Sequence, residues 1–305
     1  LASTRFYAAM RRKTPAWLFS VACLLRCGSA LVRRPAPRQL PVTWSNPQGS
    51  VLTPIGDDIW LAERPFYPRL PGLQGTDVGC KAVVVRLPDE TLWVHAPVGL
   101  DGPLTDALAA LGPVKHIVTP NTEHQKFAPS WLLAFPEAVG YACPGLLEKK
   151  PEAGWARSLV ELLDEPDGVT SAAPPAEWAG AIELCWFRDR IPLDPLQRPF
   201  FNEVVFCHKP SRTLIVTDLW WNYPGSRDDV EGGAADVPLS SRLWKVGMDK
   251  IYRPVYNGLM RPESWRASYD AMMRWDFEGI APAHGEPISA GGKAVMAAHL
   301  GLGES

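Results

Sequence analysis

Four short apolar segments of this chain each run directly into a polar cluster: residues 91–94 into His95, 117–119 into Asn121 and His124, 214–217 into Asp218, and 279–282 into His284. Runs of Val, Ile, Leu and Thr bounded by turn residues read as buried strands. A rigid sheet with shapeable loops beyond its ends is a common carrier of binding and catalytic groups. Histidines, an aspartate and an asparagine at four such ends therefore point to one shared site.

The rest of the pattern supplies the frame. Residues 81–87 and 91–95 flank Pro88-Asp89-Glu90 as a hairpin, and residues 203–208 and 213–218 flank Lys209-Pro210-Ser211-Arg212 as another. Residues 55–62 carry a strand with a turn signal before it, and 114–119, 138–142, 181–188 and 277–282 each read as a strand. Helices are predicted over 103–111, stopped by Gly112-Pro113, and over 129–135, 146–150, 239–250, 263–275 and 293–300. The fifth carries an apolar stripe of Trp265, Tyr269, Met272 and Met273. Residues 159–175 and 226–237 read as surface loops. Two runs of strands, each passing into alternating helices and strands, suit helices packed on both faces of two sheets.

Charge divides the chain. Of 31 Lys and Arg, eight lie in residues 1–38, which hold no Asp or Glu; 23 basic residues then face 33 acidic ones, a net of −10. A body that acidic is a poor electrostatic match to nucleic acid, leaving a small-molecule substrate or a protein partner. The head reads as a targeting leader: Met10 and Arg11-Arg12-Lys13, the apolar run 14–25, then Arg26-Cys27-Gly28-Ser29-Ala30. It suits cleaved organellar import, with the secretory pathway or a retained anchor as alternatives. Residues 39–50 read as a linker and 51–302 as a single domain in which ordered structure begins at Val51. No later segment reaches the roughly 18 apolar residues of a membrane span, so no span is expected in the mature domain. Cys80, Cys143, Cys185 and Cys207 are scattered, without a Cys-x-x-Cys pair, and read as buried thiols.

Strand geometry sorts the histidines. The 203–218 hairpin puts Asn202 and Glu203 beside Asp218 and leaves His208 about 17–20 Å away, near the turn. His208 is expected at the surface. His116 begins its strand at the wrong end, and His299 falls on the last helix. His95, His124 and His284 remain, with Asp218 and Glu203. Such a set suits zinc, iron or manganese, which would lower the pKa of bound water to about 7. The alternative is a metal-free cluster whose members hydrogen-bond one another.

Several segments resemble the metallo-β-lactamase fold, an α/β four-layer αβ/βα sandwich. Ala281-Pro282-Ala283-His284-Gly285 resembles its closing metal-ligand element, residues 214–218 the strand ending in its bridging Asp, and residues 117–125 the strand and loop bearing H-x-H-x-D-H. The runs VHAP at 94–97 and PNTEH at 120–124 more closely resemble DUF4336, a distant branch found in bacteria and plastid-bearing eukaryotes, which makes the plastid the expected compartment. Pro120 and Thr122 stand where the first two histidines of the full motif would fall, and residues 198–203 lack the next one. A two-metal site therefore cannot be assembled. The resemblance implies one divalent metal, or none. His124, Asp218 and His284 would be its ligands, with His95 or Glu203 nearby. As a hydrolase, the chain would use Asp218 and His124 catalytically, His124 serving as ligand or base, with Asn121, Trp220, Trp221 and Tyr223 around the substrate. The alternative is a binding or assembly module that keeps the fold.

Overall fold

The computed structural model describes residues 40–68, 75–163, 169–170, 174–225 and 236–303. The leader over 1–38 lies outside the described residues, as do residue 39, most of the 226–237 loop and much of the 159–175 loop.

Seven strands form the first sheet in chain order: β1 (Thr53–Gly56), β2 (Ile59–Arg64), β3 (Cys80–Arg86), β4 (Leu92–His95), β5 (Val114–Thr119), β6 (Val139–Ala142) and β7 (Arg157–Ser158). The first four pair antiparallel, and β4 to β7 run parallel. The second sheet has the order β11 (Gly279–Pro282), β10 (Thr213–Val216), β9 (Glu203–His208), β8 (Ile182–Phe187), with only the β10–β11 pair parallel.

The inner faces of the two sheets meet in one apolar core, where Val83, Val85, Trp93 and Val118 pack with Leu184, Val204, Phe206, Ile215 and Ala281. Outside the first sheet, α1 (Gly102–Leu111) and α2 (Ala128–Ala134) bury Leu104, Leu108 and Trp131 against Val84, Val94 and Ile117. Asp101 caps α1, accepting from the Leu104 amide at 2.8 Å. A brief α3 (Leu146–Lys149) follows β6. Outside the second sheet, α6 (Trp265–Met273) and α7 (Gly292–His299) cover Val205, Leu214 and Ile280 with Trp265, Met272 and Met296. The result is the four-layer αβ/βα sandwich.

The strand expected within 55–62 is β2; Asp57-Asp58 turns the chain before it, with Asp58 at φ 58°, and a further strand, β1, pairs with it as a hairpin. Three expectations need correction. The helix predicted over 239–250 continues, as α4 (Leu239–Gly247), a π turn (Met248–Tyr252) and α5 (Arg253–Leu259). Pro254 follows the π turn within this continuous helical run and has no N–H to donate back along it. Ordered structure begins before Val51: Trp44, Ser45 and Asn46 are buried, and Asn46 exchanges hydrogen bonds with Ser50. Part of the 159–175 segment is core, since Leu159 caps the inter-sheet cluster.

Cys80, Cys143, Cys185 and Cys207 are buried free thiols. Among the described residues no helix is long and apolar enough to cross a membrane.

Candidate metal centre

The site is built where three strands end together. β10 and β11 run parallel with Val216 opposite Pro282, so Asp218 and His284 leave the sheet side by side. The Ala283 amide donates to the Val216 carbonyl at 2.9 Å and keeps the two chains in step. From the other sheet, β5 delivers Asn121 and His124. Asn121 Oδ1 accepts the amides of Glu123 at 3.0 Å and His124 at 2.8 Å, an Asx turn that aims the His124 ring. Asn121 Nδ2 donates to Thr217 Oγ1 at 2.8 Å and Asp218 Oδ2 at 2.7 Å, tying the two loops together.

His124, Asp218 and His284 converge. His124 Nε2 lies 3.3 Å from Asp218 Oδ2, and His284 Nε2 lies 3.6 Å from Asp218 Oδ1. One ligand atom from each of the three falls within 4.8 Å of the others. His284 Nδ1 is 2.8 Å from the Gly79 carbonyl, which can only accept. That ring is therefore protonated at Nδ1 whenever neutral, and its Nε2 presents a lone pair to the Asp218 carboxylate. His124 Nδ1 lies 3.8 Å from Cys80 Sγ. The neighbours that orient both rings are thus consecutive residues at the start of β3. The Lys81 amide, donating to the Ala283 carbonyl at 2.8 Å, holds that strand end against the His284 segment.

Electrostatics couple the three groups. Burial opposes a charge on His124, but the Asp218 carboxylate outweighs it and holds the imidazole pKa well above its ordinary value. Burial and the His124 charge push His284 down to about 4. Asp218 itself is drawn down, because His124 overcomes the cost of burying the carboxylate. Without a cation, then, His124 is charged, Asp218 is anionic and His284 is neutral. Two imidazole nitrogens and a carboxylate of this kind, one ring fixed by a backbone carbonyl, fit a single divalent ion. Among the described residues this is the one group of three or more His, Cys, Asp or Glu so placed.

The remaining expected residues stand outside this three-group cluster. Glu203 is not free to ligate: Oε1 accepts the Thr217 amide at 2.6 Å, and Oε2 accepts the amides of Asp218 at 2.8 Å and Leu219 at 2.9 Å. It shapes the loop that carries Asp218. Burial, then the Asp218 charge, raises its pKa to about 7 against those amides. His95 is wholly buried, stacked on Trp93 at 5.8 Å and edge-on to Phe206 at 5.5 Å, with neither ring nitrogen hydrogen-bonded. Asn121 is committed to the loops rather than to a cavity. The tilted rings of Tyr223 and Phe66 lie 5.8 Å and 6.5 Å from His284 and flank the centre. Trp220 and Trp221 line a separate cavity beside α7.

His208 corrects another expectation. It is far down the hairpin, opposite Thr213, but it is 1% exposed and its Nδ1 meets Ser211 Oγ at 2.7 Å. The β1–β2 hairpin folds over that end, with Gly56 against Ser211. His116 bonds Tyr141 Oη at 3.2 Å, also away from the centre. Gly79 and Cys80 escaped sequence reasoning, because nothing in their spacing signals a contact made across the sandwich.

Comparison with solved structures places the chain among metallo-β-lactamase-fold proteins. A metallo-beta-lactamase from Erythrobacter litoralis with beta-mercaptoethanol in its active site superposes with a TM-score of 0.52 at 12% identity, over 82% of this chain and 94% of that one. A metallo-beta-lactamase from Pseudomonas aeruginosa in its mono-zinc form gives 0.50 at 12% identity, over 87% and 97%. At that identity the likeness is one of fold. Residues 57–230 match the family model described as "Domain of unknown function (DUF4336)", and the chain belongs to that family. Among curated proteins nothing matches.

Proposed function

We propose that this chain is a mononuclear metal-dependent hydrolase acting on a small molecule. The observation that carries the reading is the convergence of His124 Nε2, Asp218 and His284 Nε2, with the His284 tautomer set by the Gly79 carbonyl. His124, Asp218 and His284 would hold zinc, iron or manganese. When bound, such an ion supplies Lewis acidity and brings the pKa of a coordinated water to about 7. The chain's own residues do the rest. Asp218 supplies the anionic charge and keeps both imidazoles facing it. Glu203 fixes the Asp218 backbone through three amides. His124 serves as a ligand rather than a base, because its Nε2 faces Asp218 and its proton is held tightly until a cation displaces it. Phe66 and Tyr223 give the site apolar walls. The single-ion state has a parallel in the mono-zinc Pseudomonas aeruginosa structure.

The side chains of His124, Asp218 and His284 are only about a tenth exposed, at 9%, 11% and 10%. That closure favours small substrates, and it is also what a metal-free binding module would show. Elemental analysis of protein purified without chelator separates the two, followed by assay of ester and lactam substrates before and after metal removal. About one metal per chain, with hydrolysis that is lost on chelation and restored on reloading, is expected. A chain that neither retains nor takes up metal is the binding module.

A further inference from the structure

A second concave site lies apart from the histidine cluster. A cavity of about 610 Å³ is bounded by the α4–α5 helical run and α7, with Lys245, Asp249, Lys250, Arg253, Trp221 and His299 in its lining. None of His124, Asp218 and His284 lines it. The volume falls within the range of small-molecule pockets, about 300–1,000 Å³.

Its charge is unbalanced. Among the described lining residues, Lys245, Lys250 and Arg253 face a single carboxylate, Asp249, which is already shared: Lys245 Nζ is at 2.7 Å, Arg253 at 3.9 Å, and the Trp221 indole donates to it at 3.1 Å. Lys250 makes no ion pair among the described residues. Three cations against one carboxylate invert the sign of a body that carries −10 over residues 39–305.

The helical winding contributes to this. In an α-helix, residues five apart point about 140° away from each other. The π turn over Met248–Tyr252 bonds i to i+5 and brings such residues toward one face. Lys245 and Lys250 are five apart, and both line the cavity. π turns recur at functional sites. In the opposite wall, His299 packs edge-on to Trp221 at 4.5 Å, and its buried Nε2 has no hydrogen-bond partner. Burial, reinforced by Arg253, pushes the His299 pKa down to about 3, so the ring is neutral and adds no charge to the balance.

We propose that this cavity binds a small dianion of the phosphate-monoester class, held by Lys245, Lys250 and Arg253 above a floor of Trp220 and Trp221. The proposal is independent of the metal centre.

The test is equilibrium dialysis of the full chain against radiolabelled inorganic phosphate, with chloride holding the ionic strength constant. Wild type, Lys250→Gln and Arg253→Gln are compared. One phosphate per chain at a low-millimolar or tighter Kd is expected, weakened at least fivefold in each variant. Lys250 is exposed and makes no ion pair among the described residues, so Lys250→Gln removes charge with little disturbance of the fold; thermal melts verify that both variants fold. Absence of saturable uptake by wild type, or uptake unchanged in Lys250→Gln, overturns the proposal.

Discussion

Asp218→Asn should cost the metal-free protein little and the metal-loaded protein much more. Asp218 Oδ2 accepts from Asn121 Nδ2 at 2.7 Å, so the amide oxygen of Asn at 218 takes that position. Its NH₂ group then occupies the Oδ1 position, 3.6 Å from His284 Nε2 and too far to bond it. A neutral His124 ring can still donate from Nε2 to the amide oxygen, 3.3 Å away. What is lost is the charge-assisted contact with His124, and that ring can shed its proton once the carboxylate is gone. A charge-assisted bond of about 1.5–3 kcal/mol exchanged for a neutral one of about 0.5–1.5 leaves a net cost of roughly 1–2 kcal/mol. Loss of an anionic ligand should weaken metal binding tenfold or more, on the scale known for perturbed ligand shells. With metal at 100 times the wild-type Kd, binding adds about 2.7 kcal/mol to wild type but only about 1.4 to a variant tenfold weaker. Urea unfolding of both proteins, with chelator and with metal, reads all four values. The gap between them should widen by at least about 1 kcal/mol when metal is added. Equal metal-induced stabilisation in both proteins would refute the reasoning, because Asp218 would then not be a ligand.

Other outcomes follow from the same packing. His95→Phe should stabilise the protein by about 1–2 kcal/mol, since it removes two buried nitrogens that bond nothing while keeping the stack on Trp93; a loss above about 1 kcal/mol in urea melts would mean that His95 holds a partner. Gly285→Ala should cost at least about 2 kcal/mol, because φ is +80° and an added Cβ would overlap the Asn222 carbonyl; a near-neutral variant would mean that the loop carrying His284 is shaped otherwise. His208 should make the fold acid-sensitive: burial holds its pKa at about 4, so protons bind the unfolded chain first and stability falls between pH 6.5 and 4. That loss should amount to roughly 3 kcal/mol more in wild type than in His208→Gln, measured by chemical unfolding across that range, and parallel pH curves would contradict the burial.

The strands were legible because β-branched runs ended at turn residues, and Lys209-Pro210-Ser211-Arg212 declared the β9–β10 hairpin. The parallel β10–β11 pair then made Asp218 and His284 neighbours, a relation that residue pattern and resemblance together anticipated. Strand β1 was missed because its four residues, Thr53–Gly56, include a Pro and a Gly, which argue against a strand. The π turn was hidden because an added residue per turn leaves no mark in composition. Burial of His208 was missed for a different reason: distance along a hairpin says nothing about what another hairpin folds over it. Glu203 illustrates the limit best. Its place beside Asp218 was correct, but whether a carboxylate faces a cation or three backbone amides is decided by the path of residues 217–219, which only the folded chain reveals.

The central claim is that His124, Asp218 and His284 share one metal ion. X-ray diffraction from crystals loaded with zinc, recorded across the zinc absorption edge, tests it directly. A single anomalous peak at about 2.0–2.2 Å from His124 Nε2, an Asp218 oxygen and His284 Nε2 is the result predicted. Fully loaded crystals with no peak there, or with zinc bound at other residues, would contradict it.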